Sequence, residues 1–142
     1  LSKIVFASDH AGFALKNHLL AYAKGLGHEC VDAGTTSESS CDYPDFGHEG
    51  ARRVLADGCL GIFVCGSGVG ISIAANRHPG IRAVVCSEPF SAEMSRRHND
   101  ANVLCMGARV VGVGLAEKLV DAFLGASFEG GRHAARVAKI EL

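Results

Sequence analysis

The chain has 142 residues, 48% of them hydrophobic and 20% charged, with 14 basic and 15 acidic side chains for a formal net charge of -1. That length suits one well-buried core, so a single domain over residues 1–142 is expected, and the near-neutral charge gives no broad attraction to nucleic acid or an anionic membrane. No apolar run approaches the roughly 20 residues that span a bilayer, and no basic segment leads into a signal-like core, so the expectation is a soluble, cytoplasmic protein with no membrane partner.

Taken in chain order, short apolar runs rich in β-branched residues predict strands at Lys3–Ser8, Glu29–Asp32, Leu60–Cys65, Arg82–Cys86 and Asn102–Met106. Between them, helical spacing of apolar positions predicts helices over Phe13–Lys24, Phe46–Ala56, Ile71–Asn76, Ser91–His98 and Leu115–Leu124. Gly130-Gly131 breaks the chain before a last short helix, Arg132–Lys139, and Gly34–Ser40 reads as a surface loop. Strands alternating with helices imply a parallel sheet covered on both faces: an α/β fold, a three-layer α/β/α Rossmann-like sandwich with five strands.

Ligands of open α/β sheets bind beyond the carboxyl ends of the strands. Four polar clusters fall there: Asp9-His10, Cys65 with Gly66-Ser67-Gly68-Val69-Gly70, Ser87-Glu88, and Gly107–Arg109. The glycine loop lets backbone N–H groups approach an anion, but Ile71 stands where the dinucleotide fingerprint needs glycine, and no Lys-Ser/Thr follows to make a P-loop. A tight strand-to-helix turn explains the loop equally well.

The six cysteines contain no C-x-x-C pair, which favours reduced, buried thiols over disulfides or a structural zinc site. Cys65 differs by its place at a strand end, where the positive end of a following helix can favour a thiolate, as nucleophile or base. An inert thiol is the competing reading. His98 at a helix end is either a cap or an acid/base group. Arg132 and Arg136, four residues apart, form either a solvated basic face or a joint grip on one phosphate. Tyr43-Pro44 after Asp42 reads as a turn whose ring could support a sugar.

Several motifs, in order and spanning nearly the whole chain, carry a resemblance: Ser8-Asp9-His10-Ala11-Gly12, Asp42-Tyr43-Pro44, Cys65 through Ala75, Ile81–Glu88, His98-Asn99-Asp100-Ala101-Asn102 and Glu129-Gly130-Gly131-Arg132-His133. The chain resembles the ribose-5-phosphate isomerase B (RpiB/LacAB) family of sugar-phosphate isomerases. The resemblance implies interconversion of D-ribose 5-phosphate and D-ribulose 5-phosphate through a cis-enediolate, in the non-oxidative pentose phosphate pathway, without metal or organic cofactor.

By the same resemblance, Cys65 moves the proton between C1 and C2, His98 assists ring opening, and Asp9 handles hydroxyl protons. Asn99, Tyr43 and the loop Gly66, Ser67, Gly68, Val69 and Gly70 hold the sugar, while His10, Arg109, Arg132 and Arg136 surround the phosphate. The family's base is either a cysteine at the place of Cys65 or a glutamate at the place of Ile71, and only the first is present here. Ser67, counted with the catalytic residues, replaces the threonine of many cysteine-type members and keeps its hydroxyl. The resemblance also implies a homodimer or tetramer with a site shared between subunits, and strand order 2-1-3-5-4. An isomerase of allose or galactose 6-phosphate is the nearest alternative, and a non-catalytic anion-binding module the more distant one.

Overall fold

A computed structural model describes residues 2–142. Five strands, β1 (Lys3–Ser8), β2 (Glu29–Asp32), β3 (Leu60–Cys65), β4 (Ala83–Val85) and β5 (Val103–Gly107), form one all-parallel sheet in the order β2-β1-β3-β5-β4. The order agrees with the family expectation. Side chains alternate across a strand, so each buried strand feeds two cores.

On one face Ile4, Phe6, Ile62, Val64, Leu104 and Met106 pack against α1 (Phe13–Gly25), α4 (Pro89–Asn99) and α5 (Val113–Leu124). On the other, Val5, Ala7, Phe63, Cys65 and Cys105 meet α2 (Tyr43–Asp57) and α3 (Val69–Ala75). Phe63 is fully buried, a gain of about 1.5–3 kcal/mol that a one-residue register slip would forfeit. The same alternation commits Cys65 to the α2/α3 face. The last helix, α6 (Arg132–Ala138), packs on α4.

The boundaries that moved have local causes. α2 begins at Tyr43 rather than Phe46, so the Tyr43-Pro44 turn is corrected to a helix start: Pro44 sits in the first turn, where no N–H is needed. α3 begins at Val69, because Gly68 turns the chain in the left-handed region at φ 82°; Val69 and Gly70 are therefore helical. β4 begins at Ala83 rather than Arg82, whose N–H goes instead to the Asn102 side chain at 2.8 Å. No helix among the described residues is long and apolar enough to cross a membrane.

Candidate active site

Three strand ends and the start of α3 build one open pocket of about 580 Å³. It is lined by Asp9, Tyr43, Cys65, Gly66, Ser67, Val69, Gly70, Ile73, Arg109 and Val110. Asp9 leaves the end of β1 and is buried, with Oδ1 accepting the Gly12 N–H at 3.1 Å. Cys65 ends β3, and its Sγ accepts the Gly68 N–H at 3.1 Å. That bond is made best by a thiolate, since charge on the acceptor strengthens it. Ser67 Oγ accepts the Val69 N–H at 3.1 Å.

Close approach favours glycine at position 70, while position 66 is tight only against the end of a flexible side chain. A Cβ at Gly70 would meet the Tyr43 ring at 2.6 Å, so the ring lies flush against the loop, and one at Gly66 would meet Arg109 Nη1 at 3.1 Å. Tyr43 and Arg109 thus form two walls beside the thiol. Two of the other thiols are poorly placed for chemistry: burial raises Cys86 to about 11, and burial first, then Cys65 and Cys86, pushes Cys105 well above its ordinary value. All six cysteines are free; Cys30, Cys41 and Cys59 are half-buried and the rest buried.

A second cluster forms at the opposite end of the sheet. α4 runs back from the strand carboxyl ends, so His98 and Asn99 lie near the start of β5, whose first residue, Val103, pairs with Gly61, about 13 Å before Cys65 along β3. The His98 ring stacks on His133 with centroids 4.2 Å apart and planes 9° apart. Glu129 Oε1 lies 3.7 Å from Nε2 of each histidine, while its Oε2 accepts from Arg97 Nε at 2.7 Å. The Arg97 hydrogen bond holds the Glu129 carboxyl below its ordinary value, and burial, then His98, lowers that of His133.

A family model described as Ribose/Galactose Isomerase matches residues 4–140. The chain belongs to the ribose/galactose isomerase family. Ribose-5-phosphate isomerase B of Escherichia coli (strain K12) is 54% identical over 143 residues, covering 99% of this chain and 95% of that protein. Among solved structures, ribose-5-phosphate isomerase B of Clostridium thermocellum is 53% identical with a TM-score of 0.95, covering 97% of this chain and 94% of that one. The Mycoplasma genitalium enzyme with bound ribulose-5-phosphate is 40% identical with a TM-score of 0.93, covering 98% and 93%.

This member of the ribose/galactose isomerase family therefore divides its candidate residues into separate groups within one chain. Asp9, Tyr43, Cys65, Arg109 and most of the glycine loop share the first pocket. His10 stands beside it, its Nδ1 accepting the Cys41 N–H at 3.2 Å, which leaves Nε2 as the protonated nitrogen. Asn99 lines a different cavity of about 610 Å³, with Asn76, Arg82 and Ile140. Arg132 and Arg136 are exposed on α6. Glu88 does not join a site; its carboxylate caps α4 by accepting the Ser91 N–H at 3.1 Å.

Sequence reasoning missed Glu129 and His133 as site residues. Their i, i+4 spacing was a weak signal, but the approach to His98 is a long-range contact that no local pattern carries. Ile73 and Val110, 60% and 61% exposed at the pocket rim, were also missed.

Proposed function

We infer that the chain interconverts D-ribose 5-phosphate and D-ribulose 5-phosphate. The observation that carries this reading is a cysteine in a sugar-sized pocket whose sulfur already accepts a helix-start N–H, beside a buried carboxylate. In this reading the Cys65 thiolate takes the proton from C2 of the open-chain aldose, and the carbonyl at C1 receives the electron pair. The cis-enediolate so formed carries negative charge on oxygen, which N–H groups of the 66–70 loop can stabilise. The thiol then returns the proton to C1 as the C2 oxygen becomes the carbonyl, and Asp9 passes the hydroxyl proton between O2 and O1. The reaction ends with the thiolate restored.

Ser67 holds the loop through its bond to Val69, Tyr43 offers a face to the sugar, and Arg109 with His10 receives the phosphate. His98 opens the furanose ring, Asn99 holds the sugar, and Arg132 and Arg136 close on the phosphate from a second copy of the chain. That assignment is supported by their separation from Cys65 within one chain. Exposed Val69, Ile73 and Val110 around the pocket give a second copy an apolar rim to cover. All 142 residues act as one domain, in a homodimer or an assembly of such dimers, at work in the cytoplasm.

Incubating the protein with ribose 5-phosphate in deuterated water tests the activity. Ribulose 5-phosphate labelled at the migrating carbon is expected; no ketose and no label would sink the reading. Faster turnover of allose 6-phosphate in the same assay would move the assignment to the hexose.

A further inference from the structure

Glu129 is an odd neighbour for a group meant to meet an anion. Its Oε1 faces Nε2 of both His98 and His133 at 3.7 Å, and nitrogen and oxygen atoms of the three side chains all lie within 4.8 Å of one another. His133 is buried, only 8% exposed, and its Nε2 has no hydrogen-bond partner. A buried nitrogen left in this way costs about 1–3 kcal/mol unless something occupies the space it faces. What it faces is a carboxylate oxygen and a second imidazole.

The charge balance of the cluster selects a cation. Arg97 holds Glu129 Oε2 at 2.7 Å but also donates to Glu93 at 2.8 Å, so its single charge is shared by two carboxylates. Arg132, one residue before His133, is exposed to solvent, where its charge is screened. Two imidazoles and one carboxylate are a ligand set that suits zinc and its neighbours, with the fourth position open.

The geometry is close to what such an ion needs. A tetrahedral ion at about 2.0–2.2 Å from each ligand separates the ligand atoms by about 3.3–3.6 Å. Two edges of the triangle measure 3.7 Å, and the third, bounded by 4.8 Å, has to close by up to about 1.2–1.5 Å. The two rings, now 9° from parallel, must splay so that their lone pairs converge. His98, at 36% side-chain exposure, is free to make that turn while buried His133 stays fixed.

We propose that His98, Glu129 and His133 form a binding site for a divalent transition cation of the zinc class, and that the bound cation inhibits turnover by taking the lone pair of His98. The inhibition rests on the ring-opening role given to His98 above; the binding does not.

The experiment uses the full chain, stripped with a chelator and kept reduced, titrated with zinc chloride by calorimetry and with cobalt(II) by visible absorption. One zinc per chain is expected, with a cobalt spectrum free of thiolate charge transfer. Glu129→Gln keeps the size of the side chain and should weaken zinc by more than about 100-fold, beyond the loss seen when only an outer-shell partner is removed. His133→Gln should do the same, and Glu129→Gln guards against the chance that a change at the buried position unfolds α6. Zinc should inhibit the unmodified chain at concentrations that leave Glu129→Gln turnover unchanged from its own zinc-free rate.

Absence of saturable binding, affinity in either variant unchanged from that of the unmodified chain, or thiolate charge transfer placing the metal on cysteines would each overturn the site. Zinc bound with turnover retained would overturn the inhibition. A chain that binds zinc but isomerises no sugar phosphate would instead count against the proposed function.

Discussion

Gly107 ends β5 directly beside Cys65, its register partner on β3. A Cβ at position 107 would lie 2.6 Å from the Ser67 carbonyl carbon, 2.7 Å from its oxygen and 2.8 Å from the Gly66 oxygen. Ordinary contact begins at 3.4 Å, so in Gly107→Ala the loop and the strand must part by about 0.8 Å at the closest pair. All three neighbours are backbone atoms, so no rotamer change relieves the clash. Position 107 is not in the left-handed region, so the cost is packing alone, about 1–3 kcal/mol. The atoms that move carry the thiol and its loop, and a shift near 1 Å in a reacting group lowers turnover by about 10²-fold.

Ribulose 5-phosphate formation and urea denaturation, run on the same preparation, read the two effects. Gly114→Ala in α5 is the control: nothing lies within 4 Å of its Cβ, so it should gain about 0.5–1 kcal/mol from helix propensity with kcat unchanged. A Gly107→Ala protein with normal kcat and a normal urea midpoint would refute the close-approach reasoning.

Removing the sulfur in Cys65→Ala should cut kcat by about 10²–10⁴-fold or more while inorganic phosphate still binds within about twofold, and wild-type turnover would dismiss the thiol as base. His98→Asn should lose much more rate on the cyclic substrate than on an open-chain analogue; equal losses would remove it from ring opening. Lys16 is fully buried, its Nζ donating to Asp32 at 2.7 Å and to the Thr35 carbonyl at 3.2 Å, whereas the Asp32 side chain is 40% exposed. Asp32→Asn should therefore cost about 3–5 kcal/mol by removing the counter-charge of a buried ammonium, and Lys16→Met less, about 1–3 kcal/mol, because water can reach the carboxylate left behind and the buried Thr35 carbonyl alone is left unpaired; equal urea midpoints would contradict this asymmetry. Burial, then His48 and Arg52, lowers His78, as burial lowers His133. The unfolded chain then takes up these protons first, so stability is complete above pH about 6.5 and falls as pH drops toward the depressed values. Melting temperature against pH should show that fall, and His78→Gln should flatten it; an unchanged slope would place the acid sensitivity elsewhere.

Lys3–Ser8 and Leu60–Cys65 were legible because those central strands are buried on both sides, and the edge strand Glu29–Asp32 also reads with the bounds it has although its residues are exposed or half-buried. β4 lost an end residue on each side, Arg82 to a side-chain partner on Asn102 and Cys86 to the close of the ladder. Helix starts were harder, since Pro44 and Pro89 look like punctuation in sequence yet occupy first turns in space. The Cys65 pocket could be anticipated from the rule that strand carboxyl ends gather ligands. The His98, Glu129 and His133 cluster could not, because it joins the end of α4 to the start of α6 across 31 residues with no periodic signal.

Placing Cys65 and His98 at opposite ends of one chain has a genetic consequence on the two-subunit reading. A subunit carrying Cys65→Ala and one carrying His98→Asn are each inactive as pure dimers. Paired together, they concentrate both defects in one site and leave the other with an intact cysteine and an intact histidine. Random reassortment makes about half the dimers mixed, so about a quarter of all sites should work again. Two null alleles would complement each other inside a single protein.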